Sequence, residues 1–318
     1  MKQSGIYKEI IGKHIHVLED CRVCPRNCGV NRLAGQKGYC GADAGFNISS
    51  ICIHHGEEPP VSGDKGICNV FFSRCNLQCT YCQNWQISRR RGEVEEKALL
   101  LEDVVDQIIT LLDQGCKSVG FVSPSHYIPQ VKMIIEALRA NGKSPVFVYN
   151  TNSYDLESEI RGLEGYIDVY LPDFKYADAE AGKKFSGVKD YPEQALKAVK
   201  EMFRQKGSTL QLDDEGYAIN GLIIRHLILP SMVENSLTVL ETIAHELSFM
   251  ITLSLMSQYW PVPHMENHPE LGRLITVEEY NLVVEKMESL GFYKGWVQEL
   301  HSHENYRPDF RNRHPFES

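Results

Sequence analysis

The chain has 318 residues, 42% of them hydrophobic and 24% charged, and a formal net charge of −9. This suits a soluble globular protein with a sizeable core, built as one large α/β domain or two ordinary ones. The acidic balance argues against sequence-independent nucleic-acid binding; the opening MKQSGIYKEI lacks an apolar signal core and no run is long enough to span a bilayer, so a cytoplasmic protein with no membrane partner is expected.

Residues 1–64 are rich in Gly, Cys, Pro and His and show little periodicity, so they read as a cysteine-rich segment set apart from residues 65–318. Cys21, Cys24, Cys28 and Cys40 follow Cys-x2-Cys-x3-Cys-x11-Cys, and Gly29, Gly35, Gly38 and Gly41 give the freedom that a tight ligand loop needs. Disulfides are not expected in a reducing compartment, and clustered cysteines there most often bind metal. Four thiolates suit a closed structural zinc site and equally an auxiliary iron–sulfur cluster. The stretch HHGEEPP that follows holds His54, His55, Glu57 and Glu58. It reads first as a polar connection along the edge of the fold and second as a source of metal or substrate ligands. Cys52 has no assignment.

From about Gly66 strands and helices alternate. ICNVFFS (67–73) reads as a strand and leads into SRCNLQCTYCQNW (73–85). The basic run Arg89 to Arg91 reads as a solvated helix end. ALLLEDVVDQIITLLDQG has apolar residues at helical spacing (Leu100, Val104, Ile108, Leu111, Leu112), with Gly115 near its end. SVGFVS (118–123), PVFVYNT (145–151) and YIDVYLPDF (166–174) read as strands, with the helix IPQVKMIIEALRANG after the first. DYPEQALKAVKEMFRQKG is a helix, and STLQLDDEGYAING a hairpin turning at Asp214 to Gly216. LIIRHLILP (222–230), a helix near SLTVLETIAHEL, FMITLSLM (249–256), and a last helix TVEEYNLVVEKMESLG before YKGWVQEL complete the chain. Cys68 and Cys116, beside apolar strands, read as buried thiols.

Such alternation predicts an α/β fold with a parallel sheet, either doubly wound or an incomplete barrel. Both place their chemistry at the C-terminal strand ends. Polar residues recur there: Arg74 to Cys82, Ser123 to His126, Asn150 to Asn152, and Asp173 to Lys175.

Cys75, Cys79 and Cys82 follow Cys-x3-Cys-x2-Cys, a spacing that lets three thiolates converge from one loop. A zinc site would need a fourth ligand, from His126 or another cysteine. A 4Fe–4S cluster on three thiolates leaves one iron open to a small molecule's amino and carboxylate groups. The loop CNLQCTYCQN resembles the cluster loop of radical S-adenosylmethionine (SAM) enzymes, including the aromatic Tyr81 before the third cysteine. More closely, the chain resembles the pyruvate formate-lyase activating enzyme-like family. The matching segments run in order: CRVCPRNCGVNRLAGQKGYCGA, HHGEEPPVSG, FVSPSHY, VYNTNSYD, DVYLPDFKY, SLMSQYWP and NYRPDF.

The resemblance implies a partial (β/α) barrel of the radical SAM type, with a 4Fe–4S cluster on Cys75, Cys79 and Cys82 that binds SAM and cleaves it reductively to a 5′-deoxyadenosyl radical. Tyr81 and Gln83 would lie near the adenine. Ser123 falls where the superfamily usually has Gly-Gly-Glu for the SAM amino group; here the sequence is SPSH, and Ser123, Ser125 or His126 take its place. Thr151 and Asp173 match positions near the SAM carboxylate and a monovalent cation, although Asn150 replaces an acid there. Lys175 and Arg225 match basic residues of the SAM and substrate site. The implied partners are a glycyl-radical protein substrate and a flavodoxin- or ferredoxin-like electron donor; radical modification of another macromolecule or small molecule is the alternative. By chemistry alone, Asp173 and Lys175 also read as an ordinary ion pair, Arg225 as a surface strand residue, Tyr81 as loop packing, Thr151 as a helix cap and His126 as a polar core residue. A rival from another class is a metal-braced electron-transfer or binding protein whose cysteine groups are both closed sites.

Overall fold

The computed structural model describes all residues except 1, 303–305, 313, 317 and 318, and the side chains from residue 5 onward. Asn305, the first residue of NYRPDF, therefore lies outside the described residues. Ten strands form one sheet: β1 Phe46–His54, β2 Ile67–Phe72, β3 Lys97–Leu99, β4 Ser118–Val122, β5 Val146–Thr151, β6 Val169–Pro172, β7 Gln211–Leu212, β8 Ala218–Leu227, β9 Thr252–Met256 and β10 Gly295–Val297. The order across it is β10-β9-β8-β6-β5-β4-β2-β1-β3, with β7 pairing β8. From β2 to β10 along that path every pairing is parallel. Every residue of β2, β4, β6 and β9 is buried, as expected of strands covered on both faces. Parallel neighbours need a crossover, and the helices Leu101–Leu112, Ile128–Ala140, Tyr191–Lys206, Val233–Glu246 and Val277–Ser289 supply most of them. The α/β architecture read from the alternation is the one observed.

The sheet is curled. Glu57 accepts hydrogen bonds from Asn69 on β2 and Asn150 on β5, and pairs with Arg225 on β8. A flat sheet would put β2 and β8 four strand spacings apart, roughly 19 Å, beyond the reach of one carboxylate. The alternation of side chains along each strand stacks the concave face in layers. Ile67, Val148, Val169, Leu171 and Ile223 form an apolar plug between the strands. Two residues further along lie Asn69, Asn150, Asp173 and Arg225, a polar layer above the plug. The result is the partial barrel.

Three elements differ from the sequence reading. FNISSICIH is strand β1, antiparallel to β2 and to β3, so residues 46–54 belong to the sheet and not to a separate segment. Its Asn and Ser residues hide the strand pattern: Asn47 and Ser49 are buried yet polar. Lys97–Leu99, read as the start of a helix, is strand β3, and the helix begins at Leu101, where the Asp103 carboxylate accepts the Leu100 N–H at 3.2 Å.

The third is the unanticipated helix Lys2–His14. It docks on helix Ile128–Ala140 through Glu136, which takes hydrogen bonds from Lys13 (2.6 Å), His14 (3.0 Å) and the Tyr166 hydroxyl (2.6 Å). Burial raises the Glu136 pKa, but these donors outweigh it and hold the carboxyl at about 2 against an ordinary 4.5. A depressed carboxyl stabilises the fold above its unfolded value and loses that contribution as pH falls through the folded value. Glu136→Gln is therefore expected to lower unfolding free energy at pH 7 by about 1–2 kcal/mol, after discounting for solvent screening. It should also flatten the acid loss of stability between pH 4.5 and 2. Urea unfolding across that range checks both; an unchanged acid profile would count against this account.

Candidate cluster and cofactor site

Past β2 the chain turns sharply, with Arg74 and Gln78 both at left-handed φ, 67° and 69°. Side chains hold the turn. The Gln78 amide donates to the Cys75 and Ser88 carbonyls, each at 2.8 Å, and its oxygen accepts the Arg90 N–H at 3.0 Å. Arg74 pairs with Glu96 at 2.8 Å and donates to the Arg89 and Gly92 carbonyls. The loop thereby turns Cys75, Cys79 and Cys82 into one cavity of about 680 Å³ at the C-terminal strand ends.

Each thiol of the loop has donors. Cys75 Sγ accepts from the Leu77 N–H and the Asn152 amide, both at 3.4 Å, and Cys79 Sγ from the Ser186 hydroxyl at 3.0 Å. Cys82 is served by Ser88 and by the Asn84 N–H. Burial pushes the Cys79 thiol up to about 12, and the Lys175 ammonium only partly opposes this. Its thiolate needs a nearby cation at neutral pH, which a bound metal supplies. Among the described residues no three Cys, His, Asp or Glu side chains stand together at ligand geometry. The donor types, their N–H and O–H partners and their shared cavity are what fit an iron–sulfur cluster.

Opposite the thiols lies the polar layer of the barrel. Asp173 pairs with Lys175 and with Arg225 Nε, each at 2.8 Å; Arg225 also pairs with Glu57 at 3.0 Å and donates to Asn150 at 2.6 Å. Burial raises the Asp173 carboxyl, but Arg225 and Lys175 outweigh it and hold it below the usual range. Burial likewise lowers Lys175, while Asp173 more than restores it, so the ammonium stays charged. Two cations and two carboxylates form a closed quartet. Above it Glu58 is buried with one carboxyl oxygen unpartnered, and burial raises its pKa despite nearby Arg225.

All the cofactor residues expected from the sequence line this one cavity: Tyr81, Gln83, Ser123, Thr151, Asp173, Lys175 and Arg225. Their local bonding is specific. Tyr81 is buried and its hydroxyl accepts from Tyr176 at 2.8 Å. Gln83 donates to the Gln258 carbonyl at 2.8 Å, tying the loop to the end of β9. Ser123 sits at φ 53°, a left-handed backbone that non-glycine residues rarely adopt, with its N–H on the Asn150 carbonyl. The Thr151 hydroxyl is taken up by Asp155, Ser125 and the Ser153 N–H. Asp173 and Lys175 are the ion pair that chemistry alone suggested, and Arg225, its side chain 12% exposed, faces the barrel interior rather than the surface.

His126 does not line the cavity; its Nε2 faces the Ser73 carbonyl at 3.0 Å. Burial, with Arg32 nearby, lowers its pKa to about 3, so it is a neutral core residue. Two residues were underrated. Glu57, read as part of a polar connection, is the central acceptor of the polar layer, and Asn152 reaches Cys75 Sγ. The signals for them were the strand-end run Asn150 to Asn152 and the second reading of HHGEEPP as a source of ligands. The C-terminal segment also contributes a wall. Gln86 holds Asp309 and the Phe310 N–H at 2.8 Å each, Trp260 holds the Tyr306 carbonyl, and Phe316 packs 4.1 Å from His54 between ring centroids.

Residues 69–211, from β2 to the start of β7, match the family model described as Radical SAM superfamily. An uncharacterized protein of Methanocaldococcus jannaschii is 28% identical over 277 residues, which cover 86% of this chain and 75% of that protein. Among solved structures, native anSMEcpe with bound AdoMet aligns at 13% identity and a TM-score of 0.46, over 73% of this chain and 59% of the other. Streptococcus suis SuiB bound to precursor peptide SuiA aligns at 11% identity and a TM-score of 0.48, over 72% and 47%. The chain spans less than two thirds of the length of either solved structure. No helix among the described residues is long and apolar enough to cross a membrane.

The quartet generates a prediction. Arg225→Met leaves two largely enclosed carboxylates, Glu57 and Asp173, without their shared cation, and urea unfolding at pH 7 should show a loss of about 2–4 kcal/mol. A loss below about 1 kcal/mol would mean that Arg225 does not hold the layer together.

Proposed function

We propose that the protein is a radical SAM enzyme, with Cys75, Cys79 and Cys82 holding a 4Fe–4S cluster. The observation that carries this is the convergence of the three thiols and the Asp173–Lys175–Arg225 ion system on one cavity, within the Radical SAM domain. When bound, the cluster and SAM supply reductive cleavage to a 5′-deoxyadenosyl radical, which abstracts hydrogen from a substrate.

The chain's own residues position and shield. Gln83 and Tyr81 sit beside the thiol loop, where they would flank the adenine. The Lys175 ammonium, balanced by Asp173, would hold the SAM carboxylate. No glutamate follows β4; Ser123, which lines the same cavity, and Asn152, which donates to Cys75 Sγ, would receive the amino group. Thr151 would act through the Asp155–Ser125 network and not by direct contact, because its hydroxyl already has its partners. The curled sheet and the C-terminal wall would exclude water from the radical.

The finer reading is activation of a glycyl-radical protein, with an electron from a flavodoxin- or ferredoxin-like donor in the cytoplasm. The ordered segments shared with pyruvate formate-lyase activating enzyme-like proteins support it. A second metal, zinc or an auxiliary iron–sulfur cluster, belongs to the reading at Cys21, Cys24, Cys28 and Cys40.

Two experiments test these levels separately. Anaerobic reconstitution should give about four irons per chain at the Cys75–Cys82 loop, lost in Cys79→Ala, with a cluster spectrum that shifts on adding SAM and SAM cleavage under reductant. Folded, reconstituted protein showing neither iron nor cleavage would sink the radical SAM reading. Mixing the active enzyme with a candidate glycyl-radical protein should give a glycyl radical by electron paramagnetic resonance. SAM cleavage without that signal across such candidates would favour modification of another macromolecule or a small molecule.

A further inference from the structure

Helix Ala179–Ser186 ends against the cysteine loop, and its last residue is the hydroxyl donor to Cys79. The helix starts on the Asp178 carboxylate, which accepts the Glu180 and Ala181 N–H groups, and stops at Gly187, whose left-handed φ of 66° suits glycine. Its last turn meets the loop twice. The Phe185 carbonyl accepts the Thr80 N–H at 2.8 Å, and Ser186 Oγ lies 3.0 Å from Cys79 Sγ. Arg26 ties the same two segments together, donating to the Gly187 carbonyl at 3.2 Å and to the Asn76 and Leu77 carbonyls at 2.8 and 3.2 Å.

A free serine hydroxyl rotates to suit its surroundings; this one is held. Ser186 and Tyr176 are buried, and the Tyr176 hydroxyl stands 2.8 Å from Ser186 Oγ and 2.8 Å from the Tyr81 hydroxyl. The hydroxyl chain therefore leaves the cysteine loop at residue 81 and returns to it at residue 79. The Tyr176 ring is fixed edge-on by Tyr81 and Tyr191, with centroids 6.4 and 5.2 Å away. A deprotonated sulfur has no proton to give, so the Ser186 proton lies on the Cys79 bond.

This donor differs from those of the other two sulfurs. The Leu77 N–H and the Asn152 amide both stand 3.4 Å from Cys75 Sγ. Cys82 is served by Asn84 and Ser88, within six residues of it. Ser186 is closer than either donor to Cys75 and comes from 107 residues along the chain. Hydrogen bonds to the sulfurs are one of the levers that set the potential of an iron–sulfur cluster. One-electron reduction adds negative charge to the cluster and its thiolates. A bond to a charged acceptor strengthens with that charge, and a buried site screens it little. Such a donor stabilises the reduced state more than the oxidised one.

We propose that Ser186, oriented by Tyr176, is a positioning residue that raises the reduction potential of the cluster held at Cys79. The inference rests on the radical SAM reading above. The electron comes from a low-potential one-electron donor; the Ser186 proton stays on its oxygen, and no bond forms or breaks.

A redox titration of the anaerobically reconstituted enzyme, followed by electron paramagnetic resonance of the reduced cluster, reads the midpoint potential. Ser186→Ala should keep the iron and the spectral response to SAM. It should lower the equilibrium constant for reduction about tenfold, a shift of about 59 mV to more negative potential for one electron. Ser186→Thr retains a hydroxyl and should recover most of that shift. Tyr176→Phe leaves Ser186 in place without its guide and should shift the potential the same way by less. Lys175, the charged neighbour of Cys79, is present in every variant, so its effect cancels. A packing role alone would lower stability and leave the potential unmoved. An iron-loaded Ser186→Ala with unchanged potential overturns the proposal and leaves the radical SAM reading standing. Where Ser186→Ala does not fold, Tyr176→Phe decides by the same measurement, and an unchanged potential there overturns the proposal. An unsubstituted chain that folds and binds no iron overturns the radical SAM reading and this inference with it.

Discussion

Burying charge is the constraint around which this molecule is arranged. Two cations and two carboxylates sit inside the curled sheet, and none is tolerable there alone. Glu57 meets β2, β5 and β8 at once only because the strands between them bend. The bend in turn leaves the open space above the polar layer where the thiols face inward. The apolar plug of Ile67, Val148, Val169, Leu171 and Ile223 lies two residues earlier on the same strands. The shape of the cavity, its electrostatic balance and the curl of the sheet are therefore one arrangement seen at three scales.

Arg225 in the barrel and the buried Arg32 make an instructive pair. Arg225 is balanced by carboxylates from the barrel itself. Arg32 has carbonyls and a sulfur. A permanent cation in an apolar interior demands an anion, and the identity of the neighbours tells which kind of chemistry furnishes it.

Much of this was legible in the sequence. The strand and helix alternation, the cysteine spacing and the polar residues at strand ends are local patterns, and local patterns survive in one dimension. That is why Cys75, Cys79, Cys82, Asp173 and Lys175 could be named beforehand, whereas Arg225 was named only through the family resemblance. What escaped depends on long-range geometry. β1 carries a buried Asn47, whose amide donates to Asp43, and a buried Ser49, so its inward positions are polar and no periodicity reveals the strand. Helix Lys2–His14 is fixed by Glu136, more than a hundred residues away. Glu57 looked like one polar residue among four, and only the bending of the sheet makes it central. His126 is the polar core residue that chemistry alone suggested, and the Thr151 hydroxyl is committed to Asp155 and Ser125, contacts made only in the folded chain.

The wall formed by the C-terminal segment has a consequence for how such a protein diversifies. It is attached by a handful of side chains, Gln86 and Trp260 among them, and its described residues contribute no strand to the sheet. Sequence change there can reshape the entrance to the chamber while the charged layer and the cysteine loop remain untouched. Selectivity and reaction chemistry are thus written on separable parts of the chain, and the first can drift without endangering the second.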